Sequence, residues 1–123
     1  EIAQCLVGSE MCIRDRFNTV YQAMPSTSGE DEPMMNVLVW KEQKNWIVCI
    51  FPRNKHRPSC YTAEGDTNIL ISPASVDMGG VFITPQEKDF EKITANDIAD
   101  ILGEVCLRPA AFRILIERIK QQL

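Results

Sequence analysis

Two short apolar runs, Met35 to Trp40 and Trp46 to Phe51, are separated by only five polar residues, Lys41 to Asn45. Both are rich in Val, Ile and aromatic side chains, which suit an extended backbone, and so short a connection makes them a β-hairpin. Successive strand residues point to opposite faces, and here both sets are apolar in the middle: Val37 and Val39 on one side, Leu38 and Trp40 on the other. That pattern belongs to a hairpin near the centre of a sheet covered on both faces. The cover has to come from the C-terminal helices, a partner chain or sequence upstream.

A chain of 123 residues is one domain with one core. It is 45% hydrophobic and 24% charged, with a formal net charge of −4, the balance of an ordinary soluble protein. A nucleic-acid binder would carry a basic excess spread along a face, so nucleic acid is not an expected partner. No apolar run approaches the roughly 20 residues that cross a bilayer, so no membrane partner is expected either.

The rest of the chain supplies helices around the hairpin. Phe17, Val20, Tyr21 and Met24 fall on one helical face, and the segment 25–33 breaks the pattern with turn formers and acids. Ile69 to Ser72 and Val81 to Thr84 read as two further strands, joined through Gly79-Gly80, which suits a bulge or tight turn. Thr94 and Asp97 form a capping pair that opens a helix carrying Ile98, Ile101, Leu102 and Val105 on one face. A second helix starts near Pro109 and presents Phe112, Leu115, Ile116 and Ile119. The expected fold class is α+β, a mostly antiparallel sheet with C-terminal helices packed at one side.

The five cysteines, at 5, 12, 49, 60 and 106, form no Cys-x-x-Cys pair, and a single histidine cannot complete a zinc site. Free thiols in a reducing, cytoplasmic setting are the better expectation, with Cys49 and Cys106 acting as small buried hydrophobes. No metal site and no cofactor motif stands out.

The chemistry-bearing feature is the loop after the second run, Phe51 to Pro58. Arg53, Lys55, His56 and Arg57 place three cations and the only histidine within five positions of an otherwise acidic chain. Arginines offer forked donors to phosphate oxygens, lysine a point charge, and histidine one further donor. The competing reading is a solvated strand end, or ion pairs with acids such as Glu64 and Asp66. No partner in sequence marks His56 as a base. No catalytic residue is therefore assigned.

The first residues do not match the remainder. Cys5 to Arg16 resembles a peptide produced when a sequencing adaptor is translated as coding sequence, so residues 1–16 are read as a non-native segment and the domain as 17–123.

Asn36 to Trp40, Trp46 to Arg53, Lys55 to Pro58, Ile71 to Ala74, Gly79 to Ile83 and Glu104 to Cys106 together resemble the C-terminal half of an uncharacterised bacterial family. That family is similar to GDP-sugar phosphorylases and, more broadly, to histidine-triad-like nucleotidyltransferases. The resemblance implies a nucleotide or nucleotide-sugar ligand in a full-length parent. In such enzymes a His-x-His-x-Gln motif supplies the histidine that attacks the α-phosphate. One histidine cannot make that motif, so the chain is expected to be an inactive half whose catalytic motif lies upstream. Such a half is expected to be aggregation-prone or to dimerise through exposed apolar strands. The alternative is a standalone, non-enzymatic domain that binds a phosphate-bearing ligand or an acidic protein through residues 53–57.

Overall fold

The structure, a computed structural model, describes residues 4–26, 29 and 31–122. Nine elements follow in order among them: β1 (Gln4–Gly8), α1 (Glu10–Ala23), β2 (Met35–Glu42), β3 (Asn45–Pro52), α2 (Ser59–Thr62), α3 (Ser75–Met78), α4 (Glu87–Lys92), α5 (Ala95–Val105) and α6 (Pro109–Gln122). A single 3-10 turn, Gly65–Thr67, lies between α2 and α3. The fold class is α+β, as expected, with an antiparallel three-stranded sheet in the order β1-β3-β2.

The hairpin forms as its spacing requires, in the register Val37↔Ile50, Leu38↔Cys49 and Glu42↔Asn45. The strands run further than the apolar pattern indicates and leave a two-residue turn, with Gln43 in the left-handed region at φ 53°. Left-handed backbone is costly for a residue with a Cβ, and the short turn imposes it here.

Residues 4–16 are folded into the domain, and no structural boundary falls at Phe17. β1 pairs with β3 from Gln4↔Ile50 to Gly8↔Trp46, so the hairpin's second strand becomes the centre of the sheet. The helix expected from Phe17 begins seven residues earlier, at Glu10. The turn expected over 25–33 lies partly outside the described residues.

One face of the sheet carries the main core. Leu6, Val48 and Ile50 pack with Val20, Ala23 and Met24 of the α1 region and with Leu107, Phe112, Leu115 and Ile119 at α6. Both helices present apolar residues at three- and four-residue intervals, which is why they settle on the same face. Cys49 and Phe51 are buried on the opposite face, where α3 lies against β2. Cover on both faces is therefore partial. Val39 and Trp40, toward the turn end of β2, and Trp46 at the start of β3 stay exposed.

Two expected strands do not form. Residues 69–72 and 81–84 have no ladder partner among the described residues. The first is held by single bonds instead: Ile69 N donates to the Cys60 carbonyl and Leu70 N to the buried Asp89 carboxylate. Their apolar residues secure burial in part, through Ile71, without joining the sheet. Gly79 and Gly80 close α3 as a tight turn, with Gly80 at φ 101°. The capping pair of α5 is present, Thr94 Oγ1 accepting from Asp97 N and Asp97 accepting from Thr94 N.

Candidate functional site

The loop leaves β3 at Pro52 and is anchored at once to the end of α5. Arg53 bridges Cys106, Asn54 N donates to the Val105 carbonyl at 2.8 Å, and Leu107 N donates to the Pro52 carbonyl. Pro52 and Pro58, at its two ends, are fully buried. Their fixed φ values stiffen the seven-residue span between core and solvent.

Arg53 differs from the phosphate contact expected of it. Its side chain is buried, only 8% exposed, and both Nη nitrogens are hydrogen-bonded within the protein, while the buried Nε has no partner among the described residues. Nη1 donates to Asn36 Oδ1 at 2.6 Å and to the Pro73 carbonyl, while Nη2 donates to the carbonyls of Lys55 at 3.1 Å and His56 at 2.8 Å. Desolvation lowers its pKa, with nearby Cys106 and Asp77 opposing that shift. The guanidinium thus ties together β2, the loop and the 73–74 turn.

Lys55 pairs with Glu104 of α5, and neither of the acids anticipated from sequence is its partner. Asp66 lies instead 3.7 Å from Lys92, with both side chains exposed. Glu104 also accepts from Ser59 N at 3.0 Å and from the Ser59 hydroxyl. The Lys55 and Ser59 hydrogen bonds pull the Glu104 carboxyl down to about 2. His56 is exposed. Arg57 is exposed and lies over the Tyr61 ring at 4.3 Å, a cation–π contact. The four residues are therefore adjacent but unequal: Arg53 is internal, Lys55 is latched, and His56 and Arg57 stand on the surface.

Beside the loop a cleft of about 470 Å³ opens between the 65–69 segment, α4 and α5. Ile69, Ile93 and Ile101 line it together with Lys88, Asp100 and Glu104. Glu104 belongs to both features. The sequence offered no signal for this, because Glu104 and Ser59 are 45 residues apart. Asn36 and Tyr61, the other partners of the loop, were equally silent as functional residues.

No helix among the described residues is long and apolar enough to cross a membrane. No curated protein and no solved structure gives a significant match to the chain. A family model described as GDPGP1-like, C-terminal domain, matches residues 6–123, which takes in the last three residues of β1, the whole of α1, the loop and both long C-terminal helices. With nearly every residue covered, the chain belongs to the GDPGP1-like C-terminal domain family, a GDP-sugar phosphorylase-related group.

Proposed function

We propose that this domain is the ligand-facing C-terminal half of a histidine-triad-like phosphorylase of nucleotide sugars, with the exposed face of the loop directed at the ligand's phosphates. Family membership over residues 6–123 is the observation that carries this reading. The loop supports it, since it holds the exposed Arg57 and the half-exposed Lys55 between two buried prolines in a chain of net charge −4. Lys55, His56 and Arg57 are the proposed contacts, with Arg53 beneath them.

In the reaction, an oxygen of inorganic phosphate bonds to the α-phosphorus of a GDP-sugar while the bond from that phosphorus to the bridging oxygen breaks. Sugar 1-phosphate leaves with the bridging oxygen, and GDP is the other product. Relatives of the superfamily route this through a nucleophilic histidine. His56 is the only histidine here and has no His-x-His-x-Gln context, so the chain by itself binds ligand without turning it over. The homodimer anticipated from sequence belongs to the same proposal and would use the bare end of the hairpin, where Val39, Trp40 and Trp46 are exposed.

The test combines binding with turnover. The chain is titrated with GDP and with GDP-glucose by calorimetry, then incubated with GDP-glucose and inorganic phosphate while phosphorus NMR follows sugar 1-phosphate. Binding of both nucleotides without product is expected. Absence of binding at millimolar nucleotide would sink the proposal, and product formation would refute the inactive-half part of it.

A further inference from the structure

Arg53 is the one buried cation among the described residues, and none of its hydrogen-bond partners carries a charge. Burying a guanidinium without a carboxylate is costly, and a structural tie between neutral groups does not require it. What the charge holds is informative. Nη2 donates to the carbonyls of Lys55 and His56, the two residues immediately before Arg57. Nη1, through Asn36 and Pro73, fixes the guanidinium to β2 and to the turn before α3. The backbone leading into Arg57 cannot rotate without breaking a charge-assisted hydrogen bond. Arg57 itself makes no hydrogen bond to the described residues and rests only on Tyr61.

We propose that Arg53 is a positioning residue of an anion site whose contact residue is Arg57: it sets the loop so that the Arg57 guanidinium, racked on Tyr61, presents its donors to a phosphate that Arg53 never touches. This rests on the reading that the loop binds the phosphates of a nucleotide. It reverses the role that the sequence suggests for Arg53. Pre-organisation of this kind acts on affinity by sparing the loop's ordering at the moment of binding.

The experiment uses the full chain with GDP as probe. It compares wild type, Arg53→Lys and Arg57→Ala at a temperature where circular dichroism shows each folded. Arg57→Ala is expected to weaken GDP binding about tenfold and to flatten the loss of affinity as sodium chloride is raised, because a charged contact is gone. Arg53→Lys keeps the charge but loses the fork. It is expected to weaken binding by a similar factor with the salt dependence unchanged, and to abolish the ring-current shift of the Arg57 side-chain protons over Tyr61. A purely structural role would leave both the affinity of the folded protein and that shift as in wild type, and this result would overturn the proposal. So would a flattened salt dependence in Arg53→Lys, which would make Arg53 a direct contact. If Arg53→Lys does not fold, Asn36→Ala loosens the same guanidinium from β2 and is expected to weaken GDP binding severalfold with unchanged salt dependence; wild-type binding in that variant overturns the proposal. No GDP binding by wild type would remove the underlying function as well, whereas wild-type binding that only Arg57→Ala damages would remove this inference alone.

Discussion

Both carboxylate oxygens of Glu104 accept the backbone N–H of Ser59 at 3.0 Å, joining the middle of the C-terminal region to the far end of the basic loop. The same carboxylate takes the Lys55 ammonium. One acid on α5 therefore closes the loop from outside while Arg53 holds it from inside.

That arrangement makes stability depend on acid. The Glu104 carboxyl falls from its ordinary 4.5 to about 2 in the folded chain, chiefly through its hydrogen bonds to Lys55 and Ser59. A depressed folded value means the contribution is complete above the unfolded value and disappears as pH drops through the folded one. Urea midpoints of wild type should thus fall between pH 4.5 and about 2 more steeply than those of Glu104→Gln. The variant should be the less stable at neutral pH, and the two should converge near the acid end. Solvent screening keeps the difference small. Parallel curves would show that the carboxylate contributes nothing.

Leu115 is among the largest fully buried side chains, at the centre of the α6 face against the sheet. Leu115→Ala should cost about 3 kcal/mol, the transfer of the missing methyl groups plus the cavity left behind. Denaturant unfolding measures this directly. A loss under about 1 kcal/mol would mean that α6 collapses into the gap.

Thr94 closes the first turn of α5 by accepting from Asp97 N at 3.2 Å. Thr94→Ala should lower stability by about 1 kcal/mol, the usual value of such a cap. Because α5 also carries Glu104, amide exchange in the loop should quicken in this variant along with exchange in the helix's first turn. Quickening confined to the helix would separate the two.

Removing residues 1–8 should be far more damaging than a trimmed tail. The deletion takes Leu6 from the core and strips β3 of its pairing from Gln4↔Ile50 to Gly8↔Trp46, leaving one edge of an apolar strand unpaired. We expect loss of cooperative thermal unfolding and gain of aggregation by light scattering. A monodisperse, cooperatively folding product would mean that β1 is dispensable.

Patterns confined to a few neighbouring residues were legible. The hairpin, the Thr94–Asp97 cap and the apolar stripes of the two C-terminal helices all follow from local spacing, and each is where that spacing puts it. Residues 69–72 and 81–84 mislead because β-branched content indicates burial as readily as strand pairing. Whether a ladder forms depends on an available edge. Residues 4–8 pair with β3 although no strand was expected there. A short segment of unusual origin in appearance has no periodicity of its own, and only the edge of β3 gives it a structure.

The basic loop divides along the same line. Its position, its charge and its stiff proline ends are properties of eight consecutive residues, and the sequence by itself determined them together with the α+β class. Which cation is buried and which is exposed was decided by tertiary structure alone. Arg53 turns inward because Asn36, Pro73 and the loop's own carbonyls converge there, and Lys55 is latched because α5 brings Glu104 alongside. A guanidinium turns inward where carbonyl oxygens converge on its Nη donors, and that convergence exists only once segments distant in sequence have packed.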